Sequence, residues 1–167
     1  VSIDDLSEVE MDFNSSSSDE SGLGLKRAFY AVYDGHCGAE ASIFLEKELH
    51  KRILQTRDSQ GYDLPDAIHT ACKEADDSFL EFCRENKKYA GTTALGIFVD
   101  ERLSAGTDGS IGDLTIFNIG DCQAVLCREG GVAVTLSESH KPGRADETQR
   151  IKDAGGWITE EKDLYIG

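Results

Sequence analysis

The most informative stretch of this 167-residue chain reads Ala28-Phe29-Tyr30-Ala31-Val32-Tyr33-Asp34-Gly35-His36. Residues 28–33 are apolar without interruption, rich in aromatic side chains, and include the β-branched Val32. This composition predicts a short strand that is covered on both faces. The polar triplet Asp34-Gly35-His36 then ends the apolar pattern with a glycine turn. We therefore predict a buried strand that carries three polar groups at its carboxyl end.

Two amphipathic helices are predicted after this strand. Beyond Gly38 the apolar residues recur every four positions, which places them on one stripe of a helix of about four turns. A second helix is predicted after Pro65, because proline is tolerated in a first helical turn. We expect the two helices to lie antiparallel. The apolar stripes are Ala41, Leu45, Leu49 and Ile53 on the first helix, and Ile68, Cys72, Ala75, Phe79 and Phe82 or Cys83 on the second.

The pattern beyond Lys88 changes to short strands separated by glycine turns. The dipeptide Gly120-Asp121 suits a two-residue hairpin turn, and Glu129-Gly130-Gly131 supplies the next reversal. We therefore predict a meander of consecutive antiparallel strands. The predicted strands are 94–99, 114–119, 124–127 and 132–136.

A short helix is predicted near the end of this pattern, over about residues 147–154. Asp146 is the expected N-cap, since aspartate accepts hydrogen bonds from the first free backbone N–H groups of a helix. Gly155-Gly156 is the expected stop.

Residues 1–27 differ in composition from the rest of the chain, because acidic residues lead into a serine tract at 15–18. Such a segment cannot bury enough apolar surface to offset its chain entropy, so we predict a flexible acidic segment. Within it, Val9, Met11 and Phe13 alternate with acidic residues, which favours a first strand at 8–13. The rest of the chain, 28–167, is predicted to form one compact unit.

Composition limits the classes of partner. The chain has 17 basic and 32 acidic side chains, for a formal net charge of −15. This charge repels nucleic acid phosphates, so we expect no nucleic-acid partner. No apolar run approaches the roughly 20 residues of a membrane-spanning helix, and no basic and apolar signal segment opens the chain. We expect a soluble, intracellular monomer, cytoplasmic or nuclear, with no membrane partner and with its five cysteines reduced.

The triplet Asp34-Gly35-His36 has the residue types of a metal site. A carboxylate held by a strand, beside a backbone carbonyl exposed by glycine, offers the oxygen ligands that Mg²⁺ and Mn²⁺ prefer. His36 has a side chain that can donate a proton near neutral pH. A solvated turn that carries an aspartate and a histidine is an equally good interpretation of the triplet taken alone.

Four sequence blocks stand in order along the chain and support the metal-site interpretation. The blocks are Phe29-Tyr30-Ala31-Val32-Tyr33-Asp34-Gly35-His36; Tyr89-Ala90-Gly91-Thr92-Thr93-Ala94; Asn118-Ile119-Gly120-Asp121-Cys122-Gln123-Ala124-Val125-Leu126; and His140-Lys141-Pro142 with Glu147, Arg150-Ile151 and Ala154-Gly155-Gly156. In order and spacing, over roughly residues 28–158, they resemble the Mg²⁺/Mn²⁺-dependent serine/threonine protein phosphatases of type 2C. The resemblance implies an α+β fold, an α-β-β-α four-layer sandwich of two antiparallel sheets flanked by antiparallel helix pairs.

The resemblance also implies roles for the triplet. Asp34 is similar to the carboxylate that bridges two Mg²⁺ or Mn²⁺ ions, Gly35 to the residue whose carbonyl binds one ion, and His36 to the general acid. The substrates implied are phosphoserine and phosphothreonine proteins, hydrolysed by a metal-activated water. The blocks at 91–94 and 120–121 are expected to be packing and turn elements rather than catalytic ones.

Three departures from the family pattern bear on the site. Cys37 stands where the family has glycine, which implies strain if the backbone there is left-handed, or alternatively a redox-sensitive thiol. Ser139 replaces an aspartate that contributes to a further metal position in the family. Asp12 is the best match to an N-terminal acidic motif, but the arginine that precedes this motif in the family is missing.

These features give two functional hypotheses. The first is that residues 28–167 are the N-terminal portion of a type 2C phosphatase domain, and that this chain alone is nearly inactive because one carboxylate and one carbonyl are too few for two ions. The alternative is a catalytically impaired relative that works as a regulatory or protein-binding module.

Overall fold

The computed structural model describes residues 6–18, 24–102 and 111–159, and it describes the backbone alone at 6–18, 24–26, 101–102 and 111–112. Seven strands, three α-helices and one 3-10 turn make up the described chain. Their order is β1 Leu6–Ser18, β2 Gly24–His36, α1 Glu40–Gln60, α2 Leu64–Asn86, β3 Gly91–Thr92, β4 Ala94–Arg102, β5 Ile111–Ile119, β6 Val125–Arg128, the 3-10 turn Glu129–Gly131, β7 Val132–Thr135 and α3 Ala145–Asp153.

The main sheet is antiparallel, in the order β1-β2-β4-β5, and the short β3 pairs with the carboxyl end of β2. The apolar run at 28–33 therefore lies in a strand that pairs with a neighbour at each edge. The predicted cover on both faces is wrong for the described residues, because Tyr30 on one face is 44% exposed. Phe29 and Phe98 are opposite one another in the register of β2 and β4, both are fully buried, and their ring centroids lie 4.5 Å apart. Phe117 from β5 stacks on Phe29 at 6.3 Å and completes an aromatic row across the sheet.

Helices α1 and α2 cover the face of the sheet that carries this aromatic row. They are antiparallel, as predicted, because Phe44 near the start of α1 contacts Phe79 late in α2, with ring centroids 5.4 Å apart. Further along α1, Arg52 donates a hydrogen bond of 3.1 Å to Ser78. Helix α1 is 21 residues long and so exceeds the predicted four turns. Of the predicted stripe, Ala41, Leu49 and Ile53 are buried and Leu45 is half-buried. The buried side of α1 also includes three polar residues outside that stripe, Ser42, His50 and Thr56.

The opposite face of the main sheet is also apolar. Side chains alternate between faces along a strand, so the neighbours of the aromatic row point away from the helices. Tyr30 on β2 and Leu114 on β5 are 44% and 41% exposed, and Ile97 lies opposite Tyr30 in the register. A sheet with two apolar faces is typical of the middle layers of a sandwich.

A second, smaller sheet consists of β6 and β7, joined through the 3-10 turn at the predicted glycine reversal. The prediction of one continuous meander is wrong, because β6 does not pair with β5 in the described chain. The carbonyl of Gly120 accepts the N–H of His140 at 2.9 Å and the side-chain amide of Asn118 at 3.0 Å. The chain after β5 is thus bound to the 138–140 segment and leaves the main sheet instead of returning beside it.

Helix α3 begins at Ala145, and the predicted N-cap Asp146 is also wrong. Arg144 is the N-cap residue and makes no side-chain capping bond. Asp146 lies inside the first turn, where its carboxylate accepts hydrogen bonds of 2.7 and 2.6 Å from the Arg144 guanidinium. This ion pair competes with the capping bond for the same carboxylate. The predicted stop is correct, since Gly155 has a φ of +82°.

The α+β fold class is confirmed, with two antiparallel sheets and one antiparallel helix pair in the described residues. Strand β1 spans Leu6–Ser18 and extends past both ends of the predicted 8–13 strand. The predicted division between 1–27 and 28–167 falls inside β2 and matches no break between elements. Residues 1–5 and 19–23 of the predicted flexible segment lie outside the described residues. None of the described helices is both long and apolar enough to cross a membrane.

Candidate functional site

Asp34 lies at the carboxyl end of β2, and its backbone is bonded in both directions to Thr93. The N–H of Thr93 donates to the Asp34 carbonyl at 3.0 Å, and the N–H of Asp34 donates to the Thr93 hydroxyl at 3.1 Å. Asp34 is half-buried, so its carboxylate stands at the border between the core and solvent. The strand and Thr93 together fix the backbone from which this carboxylate projects.

The next two residues of the triplet pair with β3. Gly35 lies opposite Thr92 and His36 lies opposite Gly91 in an antiparallel register. The imidazole of His36 crosses the space above Gly91, where an added Cβ would lie 2.5 Å from Nε2 and 2.7 Å from Cε1. The block at 91–94 is thus in direct contact with all three residues of the triplet.

The loop that follows the triplet has an unusual backbone. Cys37 has a φ of +58° and Gly38 a φ of +134°, and both residues are exposed. The left-handed conformation on which the predicted strain at Cys37 depended is therefore present. A Cβ at Gly35 would lie 3.1 Å from the hydroxyl of the buried Ser42, so the absence of a side chain allows β2 and α1 to approach closely.

One ion pair connects the ends of the two helices beside this loop. The Lys88 ammonium lies 2.6 Å from the Glu40 carboxylate, and its hydrogen bond lowers the pKa of that carboxyl group. The pair joins the residue that opens α1 to the segment that leads into β3. It therefore connects the loop after His36 to the strand that pairs with His36.

The third sequence block contacts Thr93, and the fourth block contacts the third. The Thr93 hydroxyl lies 3.0 Å from the Cys122 thiol, and a Cβ at Gly120 would lie 2.8 Å from the Thr93 methyl group. The N–H of His140 donates to the Gly120 carbonyl, and the Ser139 hydroxyl donates to the Asp121 carbonyl at 3.4 Å. The four blocks, distant in sequence, thus form one connected set of contacts, in which the fourth block is joined to Thr93 and Asp34 through Gly120.

A cavity of about 1040 Å³ lies beside His36, between the helix pair and the main sheet. Most of its walls are apolar side chains of α1, α2 and β5, with Gly91, Thr92 and Arg150 among the remaining residues. The exposed His36 side chain therefore lies at the border of a mainly apolar cavity.

The chemistry of Asp34 and Gly35 fits a hard divalent cation, since a carboxylate and a backbone carbonyl are both oxygen donors. Their number does not fill a coordination sphere of about six oxygens. Among the described side chains, those of residues 27–100 and 113–159, no group of three or more His, Cys, Asp or Glu could hold a metal ion. Asp12 lies opposite Ala28 in the register, six residues along β2 from Asp34, and its side chain is outside the described part. Its place in a metal site stays a prediction.

Comparison with known proteins places this connected set of contacts in a family. The family model described as protein phosphatase 2C matches residues 5–165. The chain belongs to the protein phosphatase 2C family. The match begins inside the predicted flexible segment and includes β1, so most of residues 1–27 lie within the region that the protein phosphatase 2C model covers.

Two relatives in this family come from plants. "Probable protein phosphatase 2C 11" of Arabidopsis thaliana is 39% identical over 132 residues, which cover 78% of this chain and 32% of the relative. "Probable protein phosphatase 2C 45" of Oryza sativa subsp. japonica is 32% identical over 158 residues, covering 95% of this chain and 49% of the relative. The chain spans between 27% and 49% of the length of such relatives.

Solved structures share the fold. "Structure of a C.elegans sex determining protein" superimposes with a TM-score of 0.62 at 17% identity, over 96% of this chain and 41% of that one. A phosphatase from a pathogenic strain of Toxoplasma gondii gives a TM-score of 0.54 at 19% identity, over 95% of this chain and 57% of that one. At these identities the likeness shows the fold alone.

Sequence reasoning missed the contacts of Gly91 and Thr93, which we expected to be general packing and turn residues. The register of β2 with β3 brings them against His36 and Asp34. The only sequence signal was the resemblance of their block to the family, and it carried no information on which residue each would touch.

Proposed function

We propose that the natural protein is a Mg²⁺- or Mn²⁺-dependent phosphatase that hydrolyses phosphoserine and phosphothreonine in proteins. Family membership supports a protein phosphatase. The observation that carries the proposal for this chain is that the four sequence blocks are connected by contacts: residues 91–93 and Cys122 meet at Asp34 and Thr93, and the fourth block is joined to them through Gly120. Blocks that resembled the family by chance would have no reason to form this connected set of contacts beside the backbone of Asp34.

Within this proposal, Asp34 and Gly35 supply part of the ligand set, and the remaining ligands lie outside the described side chains. When bound, the ions would lower the pKa of a water that attacks phosphorus. His36 would act as the general acid, because its exposed imidazole is free to reach the oxygen of a departing serine or threonine side chain and donate a proton to it. Phosphoprotein substrates, and a cytoplasmic or nuclear location, stay predictions.

A second candidate is a catalytically impaired relative that binds proteins without hydrolysing them. The observation that favours it is that no group of three or more His, Cys, Asp or Glu among the described side chains could hold a metal ion. The observation against it is that Asp34, Gly35 and His36 are all present and all contact the segment 91–93, although a binding module has no chemical need for a carboxylate and a proton donor together. We therefore rank it second.

The test is phosphatase activity of the natural protein in its full length, with a phosphothreonine peptide as substrate and with Mn²⁺, Mg²⁺ or a chelator. We expect turnover that the chelator abolishes. Asp34→Ala should lower kcat/KM by about 100-fold or more, because a bound metal ion stabilises the transition state by several kcal/mol. Asp77→Ala, which removes an exposed carboxylate on α2, is the matched control and should have no effect.

Two outcomes would reject the proposal. Turnover that persists in the chelator would exclude the metal-dependent reaction. No turnover in the full-length protein under any metal would favour the binding module, which the same preparation can test by retention of a phosphothreonine peptide on a column.

A further inference from the structure

We propose that the segment Gly91–Thr93 is a positioning element for the reaction, with Gly91 setting the place of the His36 imidazole and Thr93 fixing the backbone of Asp34. The inference rests on the proposed function. It assigns to the 91–94 block a role that packing alone does not give, because each residue acts on a different member of the triplet.

The role of Gly91 follows from the space above it. A Cβ at this position would lie 2.5 Å from Nε2 and 2.7 Å from Cε1 of His36, closer than carbon atoms in proteins approach such groups. The antiparallel pairing of His36 with Gly91 holds the two backbones in register, so neither can move away without breaking β3 from β2. The imidazole is exposed and is the group that would move. A methyl group at Gly91 therefore displaces the proton donor at little cost in stability.

The role of Thr93 follows from its two hydrogen bonds to Asp34. Its N–H and its hydroxyl bind the carbonyl and the N–H of the same residue, at 3.0 and 3.1 Å. Loss of the hydroxyl leaves the Asp34 N–H unpaired at the point where the carboxylate leaves the strand. Serine retains the hydroxyl, whereas valine keeps the shape and removes it, so the two substitutions separate the hydrogen bond from the packing.

The decisive experiment compares two substrates whose leaving groups differ. A phosphoserine peptide releases an alkoxide that needs a proton, whereas p-nitrophenyl phosphate releases a stable phenolate that does not. A general acid contributes about 100-fold to 10,000-fold to a rate. We therefore expect Gly91→Ala in the full-length protein to lower kcat for the peptide at least about tenfold more than kcat for p-nitrophenyl phosphate. Gly143→Ala is the control, because a Cβ there would contact nothing within 4 Å.

The Thr93 variants are tested without substrate, by titration of Mn²⁺ followed through the electron paramagnetic resonance of the free ion. We expect Thr93→Val to weaken Mn²⁺ binding by about 10-fold to 100-fold, as loss of a supporting group typically does, and Thr93→Ser to restore it. Thr148→Val removes another half-buried hydroxyl, one that donates to the Pro142 carbonyl, and should leave Mn²⁺ binding unchanged.

Each outcome has one meaning. If wild-type full-length protein is inactive on both substrates, the proposed function fails and this inference fails with it. If wild type is active and Gly91→Ala lowers kcat equally for both substrates, or for neither, only the role of Gly91 is overturned. If Gly91→Ala does not fold, the Thr93 pair decides, and equal Mn²⁺ binding by the serine and valine variants overturns the positioning role of the segment.

Discussion

The left-handed backbone at Cys37 makes a prediction about stability that needs no substrate. A φ of +58° brings the Cβ of an L residue close to a carbonyl oxygen, a contact that glycine does not have. The Cys37 side chain is exposed, so its removal loses little buried surface. We therefore expect Cys37→Gly to raise the free energy of unfolding.

The magnitude is the difference between two effects. The left-handed conformation costs an L residue about 1–2 kcal/mol. Glycine in turn makes the unfolded chain more flexible, which costs about 0.4–1 kcal/mol on folding. The midpoints of the two ranges differ by about 0.8 kcal/mol, which is the net gain expected for Cys37→Gly.

Urea unfolding of the full-length protein measures this difference, with Cys37→Ala as the matched control. Alanine removes the thiol and keeps the Cβ in the left-handed region, so its unfolding midpoint should equal that of wild type. Lys87, the left-handed C-cap residue of α2 with a φ of +51°, gives an independent second site, and Lys87→Gly should show a similar gain. A glycine variant at position 37 that is no more stable than the alanine variant would refute the strain argument.

Two further predictions concern the core. Burial lowers the pKa of His50, with a smaller contribution from the Lys51 charge, so the unfolded state binds more protons than the folded state below the ordinary pKa of 6.5. The contribution of His50 to the free energy of unfolding should therefore be greatest above pH 6.5 and fall as the pH drops through the folded-state pKa. Urea titrations from pH 7.5 to about 5 measure this pH dependence, and in His50→Gln the decrease due to His50 should be absent. Gly96→Ala would place a Cβ 2.3 Å from the Phe117 ring, so thermal unfolding should show a destabilisation of about 1–3 kcal/mol that Gly143→Ala does not.

The sequence predicts well those parts of the fold that depend only on a local pattern of apolar residues. The apolar run at 28–33 predicts a strand, and β2 contains it. The stripe that contains Leu49 and Ile53 predicts the buried side of α1. Each pattern depends on burial, which is the largest favourable term in folding.

The incorrect predictions share a different cause, which is competition from residues distant in sequence. Gly120 has the positive φ expected of a hairpin turn, but its carbonyl is bonded to His140, so the chain does not return along β5. Asp146 has the chemistry of an N-cap, but Arg144 occupies its carboxylate. Local propensity cannot reveal a partner that only the folded chain brings near.

In the candidate site, too, the sequence predicted residues that are adjacent in the chain and missed contacts between distant ones. Asp34, Gly35 and His36 were identified from their residue types and from the resemblance, because they are adjacent in sequence. The contacts of Gly91 and Thr93 with them depend on the register between β2 and β3, which two residues of strand cannot specify in advance.

The outer face of the main sheet affects how the chain behaves among its own copies. Tyr30 and Leu114 are exposed apolar side chains on the sheet, and such surfaces favour association between molecules. The net charge of −15 opposes that association by electrostatic repulsion. That repulsion extends only about 8 Å at physiological salt and about 3 Å in 1 M salt. Colloidal stability of the isolated chain should therefore decline as salt is added, unless another polypeptide covers these side chains. Storage in dilute buffer, above the isoelectric point near 4.5, is the practical consequence.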